Sequence, residues 1–324
     1  MTVLRILSDG QFHSGCALGE ALGVSRAAVW KAAHKLESDW QIKINAVSGR
    51  GYQLAAPLEL LDRDTILAAM TPQFRSAVQD IHVLPSVDST NHYTLTQVPD
   101  GAKSGLAVVA EHQTAGRGRR GRHWVSPFGR NLYLSFLWRF DLDAAQLPGL
   151  SLAIAVAIVR ALRKLEIHDL ALKWPNDVLW QDRKLSGVLL EMHGEASGPW
   201  VVVIGIGMNV NMGAISPQVI DQPWVDLQTI LGHYQERNRL AGILLNELVL
   251  AVTEYQQTGL ASFLAEWRAR DVCRDCPVEL HFPNSVQQGI ARGIDDHGAF
   301  LLETDGVIKP YHAGEVSLRY SHHA

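Results

Sequence analysis

The sequence predicts a multidomain α/β protein: a winged helix-turn-helix over residues 1–60, a mixed α/β unit over 64–271 and a small β-barrel over 272–324. Three observations carry that reading. Near the N-terminus, apolar side chains recur at helical spacing and then alternate around a Ser-Gly-Arg-Gly turn. The middle of the chain alternates strand-like and helix-like runs, the pattern of one large sheet with helices packed on it. The last stretch consists of short alternating segments split by turn residues, the pattern of a small all-β unit.

The first zone reads as three helices and a hairpin. Val3 to Ser8 is a short helix, and GCALGEALG is a second, closed by Gly23. Ser25 is placed to cap a third helix, SRAAVWKAAHKLE, because its hydroxyl can accept an orphan backbone N–H. Ala28, Val29, Ala32, Ala33 and Leu36 form the apolar stripe of that helix. QIKINAVSGRGYQL then alternates around Ser48-Gly49-Arg50-Gly51 as a β-hairpin. Six basic residues against four acidic ones give residues 1–56 a net charge of +2, opposite in sign to the whole chain. Ser25, Arg26 and Lys31 lie where a recognition helix meets a groove, and Arg50 at the hairpin tip can reach a phosphate. These four are the candidate DNA contacts. AAPLELLDR reads as a connecting element.

In the central zone LAVVAEHQ, NLYLSFLWRF, LALKWPN, GVLLEMH and WVVVIGIGMNV read as strands. Leu150–Leu165 and Leu240–Tyr255 read as helices. In the last zone VELHF, GIARGID, AFLLET and VIKPYHAGEVSLR are strand-like.

Composition bounds the class. The chain has 324 residues, 47% hydrophobic and 19% charged, an ordinary soluble globular balance. With a net charge of −4 a bulk electrostatic grip on nucleic acid is not expected, although a single domain can still be basic. Three cysteines do not make a disulfide framework, which fits a reducing cytoplasm. The N-terminus has no long apolar run of the secretory kind. The most apolar segment, Leu147 to Leu165, contains Pro148 and loses its uncharged character after Val159. A span needs about 20 predominantly apolar residues, so a buried core helix is expected and no membrane association.

GRGRRG, Gly116 to Gly121, matches the dinucleotide fingerprint G-x-G-x-x-G. That fingerprint needs a helix to open directly after it. The residues downstream of Gly121 include Pro127 and Gly129 and run into a strand, so the Rossmann reading fails. No P-loop pattern exists either. Glycines instead let the backbone approach a ligand closely. Arg117, Arg119, Arg120 and Arg122 offer bidentate donors for phosphate or carboxylate, and Trp124 offers a flat surface for a base. KWPND, Lys173 to Asp177, ends a strand in a turn that presents polar side chains. Lys184 comes next, at the edge of another strand. VDSTN places Ser89 as a helix cap whose neighbours can also hold a small neutral polar group. Cys273-x-x-Cys276 lacks a second ligand pair, so no metal site is expected. His322-His323 reads as a frayed tail.

VDSTN, EHQTAGRGRRGRHWVSPFGRNLYLS, LKWPNDV, DRKLSGVLLE and VIGIGMNVN occur in that order. Together they resemble the bacterial biotin–protein ligases. With the winged helix in front, the chain is similar to the bifunctional biotin–protein ligase and biotin operon repressor family. The likeness covers essentially the whole chain, and the set of motifs is far more specific than any one of them. It implies a central α+β catalytic domain of the class II aminoacyl-tRNA synthetase and biotin ligase type. It implies biotin and ATP as substrates, with Mg2+ accompanying ATP, giving biotinyl-5′-adenylate. The biotinyl group then passes to a lysine of the biotin carboxyl carrier protein of acetyl-CoA carboxylase.

By resemblance, Lys184 and Arg119 are the catalytic pair. Lys184 bridges the biotin carboxylate and the α-phosphate, and Arg117, Gly118 and Arg119 close over biotin and the adenylate. Ser89, Thr90, Asn91 and Gln113 hydrogen-bond the ureido head, with Gly205 and Gly207 leaving room for the ligand. Arg119, Arg120, Arg122, Trp124, Asn176, Asp177 and Asn209 serve ATP and the adenylate. The adenylate-bound form is expected to be a homodimer that binds operator DNA. Two rival readings stand beside this one: a lipoate ligase on the same catalytic fold, and a ligand-sensing repressor without enzymatic activity.

Overall fold

The first three helices are α1 (Thr2–Leu7), α2 (Gly15–Leu22) and α3 (Arg26–Trp40). Ser14 and Ser25 cap the second and third, their hydroxyls accepting the N–H groups of Ala17 and Ala28. Gly23 ends α2 with φ 64°, the left-handed conformation that glycine adopts without strain. Val29, Ala33 and Leu36 of the expected stripe are buried. Beyond α3, β1 (Ile44–Val47) and β2 (Gly51–Leu54) form the hairpin around Ser48–Arg50. This is a computed structural model that describes residues 2–320, apart from 57, 100, 195–198, 214–219, 221, 284 and 315. The His322-His323 tail lies outside the described residues.

The segment read as a connecting element is instead built into the structure. Leu58 and Leu61 are buried. The Glu59 carboxylate accepts the Arg237 N–H and, at 2.7 Å, the Asn238 amide. Leu61 N–H donates to Glu111 Oε1 at 2.6 Å and Asp62 N–H to Asn238 Oδ1 at 2.8 Å. Arg237, fully buried, pairs with the Glu111 carboxylate at 2.8 Å. Phe128 joins the core of the helical unit and stacks on Trp40 at 4.3 Å between ring centroids. The N-terminal unit is therefore docked on the central one by a buried polar clamp and an aromatic wedge. Periodicity along the chain gave no hint of either, because every partner is distant in sequence.

The central unit adds α4 (Arg63–Ala69), α5 (Pro72–Arg75), β3 (Asp80–Leu84), α6 (Thr90–Thr96), β4 (Leu106–Ala110), β5 (Leu132–Phe140) and α7 (Leu150–Arg163). It continues through β6 (Leu170–Lys173), β7 (Asp177–Trp180), β8 (Arg183–His193), β9 (Trp200–Met208), α8 (Leu227–Leu231), α9 (Arg237–Thr258) and α10 (Ala261–Arg268). The seven strands run in the order β3-β4-β5-β9-β8-β7-β6, with β3 and β4 parallel and all other neighbours antiparallel. The five predicted strands and two predicted helices are present. β3 and β7 are short and flanked by turn residues, so their alternation carries little signal.

α7 is buried along almost its whole length and packs with α9 against one sheet face. Val202, Ile204, Ile206 and Met208 of β9 point into that core. Side chains alternate along a strand, so Gly205 and Gly207 face the opposite side. α6 packs there.

The last unit is β10 (Pro277–His281), β11 (Val286–Ile294), β12 (Phe300–Thr304), β13 (Val307–Tyr311) and β14 (Ser317–Tyr320). They form an antiparallel sheet in the order β13-β12-β11-β10-β14. Trp174, buried in the central unit, donates its indole N–H to Gly298 O at 3.1 Å and so ties the two units together. Among the described residues no helix is long and apolar enough to cross a membrane.

Candidate active site

A cavity of about 430 Å³ opens on the face of β9 and β8 that α7 does not cover. Its floor is one row across the sheet. Gly207 pairs with Gly187, and Gly187 with Asp177. Paired residues in neighbouring antiparallel strands face the same side, so all three point into the cavity.

One end of the cavity is neutral and rich in hydrogen bonds. Thr90 N–H donates to Gln113 Oε1 at 2.9 Å, and the Gln113 amide reaches Ser126 Oγ at 3.2 Å. The Asn91 amide donates to Leu189 O at 3.2 Å, and its Oδ1 lies 2.6 Å from Ser135 Oγ. Ser89 heads α6 without a capping bond from its hydroxyl, so the capping role expected for it is unused. Thr90, Asn91 and Gln113 are all buried, and their orientation is set by mutual hydrogen bonds. The Asn91 side chain lies directly over Gly205: a Cβ there would sit 2.3 Å from Asn91 Oδ1. The Trp124 indole covers Gly207 in the same way, with 2.5 Å to the nearest ring atom. The room these glycines leave is thus taken by Asn91 and Trp124, which become the ligand-facing surface. Among the described residues the buried Trp124 Nε1 has no hydrogen-bond partner, a donor still to be satisfied.

The other end is cationic. Lys184 Nζ pairs with Asp177 Oδ1 at 2.7 Å and stands 5.4 Å from the Trp124 ring centre. The Gly-Arg loop folds as a tight turn, with Gly118 N–H donating to Arg122 O at 2.7 Å and Arg120 at φ 56°. Its arginines reach across to the C-terminal unit. Arg119 donates to Ala313 O, Arg120 to His281 O at 3.0 Å and Arg122 to Ser317 Oγ at 2.9 Å. Arg117 lies 3.6 Å from the Glu191 carboxylate. Burial lowers the pKa of Arg119; Asp177 opposes this, and Arg120 and Arg122 add to it. Among the described residues, six lysines and arginines line the cavity against one carboxylate, that of Asp177. The acceptors on the C-terminal unit are neutral, so they satisfy the guanidinium donors without cancelling their charge. Such a site attracts a polyanion.

Asn176 and Asn209 also line the cavity, but their amides hold backbone: Asn176 donates to Val188 O at 2.6 Å, and Asn209 to Lys184 O and Val225 O at 3.2 Å each. All the residues expected to serve biotin or ATP border this one cavity. Sequence reasoning missed Ser126 and Ser135, which orient Gln113 and Asn91, and Lys173, which lines the cationic end. A lone serine, in a loop like Ser126 or in a strand like Ser135, carries no signal, whereas Lys173 stood inside the KWPND motif.

The expected DNA contacts form a separate locus. The Ser25 hydroxyl is used as a helix cap, and Arg26, Lys31 and the half-exposed Trp30 occupy the surface of α3. The Arg50 guanidinium lies 3.9 Å above the Phe12 ring. Cys273 is buried, and burial pushes its thiol pKa up. Among the described residues no group of three or more metal-ligating side chains comes together.

Fold and site thus define a class: a helix-turn-helix unit joined to a sheet-borne pocket with a neutral polar cradle at one end and a polyanion site at the other. Comparison with known proteins narrows it. Residues 83–209 match the biotin/lipoate A/B protein ligase family, 277–319 the biotin protein ligase C-terminal domain and 1–53 an HTH domain. A bifunctional ligase/repressor BirA of Salmonella typhimurium is 45% identical, covering 98% of this chain and 97% of its own. The Bacillus subtilis protein of the same name is 31% identical over 96% of this chain and 95% of its own. Among solved structures, the biotin protein ligase of Aquifex aeolicus in complex with biotin and ATP is 32% identical, with a TM-score of 0.64, and covers 75% of this chain and 100% of that one. The chain belongs to the biotin protein ligase family, with bifunctional ligase/repressors as its full-length relatives.

Proposed function

We propose that this chain is a biotin–protein ligase that activates biotin with MgATP, transfers it to a lysine of the biotin carboxyl carrier protein, and represses biotin-synthesis genes when loaded with the adenylate. The observation that carries the reading is the continuity of one cavity from a neutral amide-and-hydroxyl cradle to a cluster of cations. Biotin has that polarity: an uncharged ureido ring at one end and a carboxylate at the other. The cradle of Ser89, Thr90, Asn91 and Gln113 suits the ring. Lys184 and Arg119 bring the carboxylate and the α-phosphate together by offsetting their repulsion. The carboxylate oxygen attacks the α-phosphorus, the bond to the β-phosphate oxygen breaks, and its electron pair leaves with pyrophosphate. The carrier lysine, as its free amine, then attacks the acyl carbon, and AMP departs with the bonding pair. Neither step needs a covalent enzyme intermediate.

Arg117, Gly118 and Arg119 cover the mixed anhydride and keep water away. Arg120, Arg122 and Trp124 border the nucleotide, Asp177 neighbours the MgATP phosphates, and Asn176 and Asn209 shape the wall around Lys184. Residues 1–60, 64–271 and 272–324 divide the work as DNA reader, catalytic unit of the class II synthetase type, and a small unit closing as a barrel. The protein works in the cytoplasm. Arg26, Lys31 and Arg50 contact the operator, with Ser25 setting the start of the reading helix.

Intact mass after incubation with MgATP, apo carrier domain and either biotin or lipoate tests the enzyme. A biotinyl increment is expected. A lipoyl increment or no increment refutes it. Adenylate-bound protein is expected to dimerise more tightly than the apo form in sedimentation, and equal dimer constants would rule out the coupling to repression. Arg119→Gly is expected to release free adenylate and label bystander lysines. Labelling confined to the carrier lysine would remove the retention role from the loop.

A further inference from the structure

The floor row of the cavity extends one strand beyond Asp177. Lys173 of β6 is the register partner of Asp177, so Gly207, Gly187, Asp177 and Lys173 form a line across four strands on one face. Neighbouring strands lie about 4.8 Å apart, which puts Lys173 about 14 Å from Gly207 and about 10 Å from Gly187. Lys184 occupies the second position of the line: a Cβ on Gly187 would lie 3.3 Å from its Nζ. Lys184 has a carboxylate partner in Asp177. Lys173 has none. Among the described residues it makes no ion pair, and its ammonium rests 4.9 Å from the ring centre of Tyr320 in the C-terminal unit. Burial pushes its pKa down, Asp177 opposes this, and Lys184 and Arg122 add to it. A partly buried cation held among other cations is unfavourable until an anion arrives.

We propose that Lys173 contacts the β- and γ-phosphates of the nucleotide and stabilises the pyrophosphate they become. The inference rests on the ligase reading above. With the α-phosphate at Lys184, the remaining phosphates continue along the row toward β6, a span that a triphosphate and a lysine stem cover together. As the bond from the α-phosphorus breaks, negative charge grows on the departing pyrophosphate. A cation at that end is worth more in the transition state than in the bound substrate. The biotin ring lies in the cradle at the other end of the cavity, and the acyl group enters opposite the departing pyrophosphate, so neither meets Lys173. Its effect therefore belongs to the first half-reaction alone.

The test separates the two half-reactions in the full-length protein. Lys173→Gln, and Lys173→Met, which keeps an apolar stem against Tyr320, are compared with Lys173→Arg. Single-turnover adenylate formation is measured with biotin and MgATP. Reversal is measured by adding inorganic pyrophosphate to enzyme-bound biotinyl-adenylate. Transfer is measured from the same bound adenylate to the carrier domain. Gln and Met are expected to slow adenylation about 10- to 100-fold, in line with the loss of one charge-assisted contact. They are expected to weaken pyrophosphate binding in the reverse reaction by a similar factor. Biotin affinity and transfer should stay within about twofold, and Lys173→Arg should recover part of the loss. Adenylation unchanged in both variants overturns the proposal. So does a parallel fall in transfer and biotin affinity, the mark of a residue that merely joins two units. Failure of the unaltered protein to form adenylate would instead refute the ligase reading.

Discussion

Gly205→Ala is the sharpest perturbation of the biotin cradle. The added methyl carbon would lie 2.3 Å from Asn91 Oδ1 and 2.8 Å from its Cγ. An unstrained contact needs more than 3 Å, so the Asn91 amide must retreat by about 1 Å, a displacement that costs on the order of 100-fold where geometry is tight. Asn91 has little space to retreat into, being 3% exposed and held by Ser135 Oγ and Leu189 O. Losing either bond leaves a buried polar group unpaired, at about 1–3 kcal/mol. The expected outcome is a biotin Kd raised about 100-fold, or about 3 kcal/mol, together with a lower melting temperature. Gly187→Ala is the control. Its methyl would meet the flexible end of Lys184, at 3.2 Å from Cε, and the Trp124 ring at 3.4 Å, an ordinary van der Waals contact. That chain can swing aside, so biotin affinity should fall less than about tenfold. Titration calorimetry with biotin alone reads both variants without requiring catalysis. Asn91→Ala removes the amide without a clash and should lose affinity like Gly205→Ala while folding more readily. If Gly205→Ala binds biotin within about threefold of the parent, Asn91 does not hold the ligand head and the cradle is misassigned.

Three further outcomes are expected. Arg237→Met strands the buried Glu111 carboxylate and should cost about 3–5 kcal/mol in denaturant unfolding; adding Glu111→Gln should restore part of it. Phe128→Ala removes the wedge stacked on Trp40, at about 3–5 kcal/mol, and should make the chain near residues 55–62 more sensitive to limited proteolysis. Asp271, raised by burial from 3.8 to about 6, has a buried Oδ2 without a hydrogen bond among the described residues. Its folded pKa lies above its unfolded one. The associated stability is thus fully present below about pH 4 and lost as pH rises through about 6. Asp271→Asn should stabilise the protein by about 1–3 kcal/mol above pH 7, with the gain shrinking toward pH 5 in thermal melts.

Several features of the molecule were set by residues close together in the chain. Ser25 and Gly23 bound their helices because capping is a contact within three or four residues. The alternation of NLYLSFLWRF and WVVVIGIGMNV marks strands because pleating repeats every two residues. Pro127 and Gly129 exclude a helix after GRGRRG for the same local reason. The motif set, read in order, points to the ligase family and to the residue types of its site.

Only the tertiary structure decided what those residues meet. The line of Gly207, Gly187, Asp177 and Lys173 exists because four strands bury their other face against α7 and α9 in one register. A slip by one residue would turn every one of these side chains away from the cavity. The same holds for the arginines that cross to the C-terminal unit, for Asn91 filling the space over Gly205, and for Glu59, Glu111 and Arg237 clamping a segment that reads as a mere connection. Helices, caps and turns are decided over a few residues of chain. The cradle, the cation row and the docking of the N-terminal unit are decided by which apolar faces the whole chain buries together.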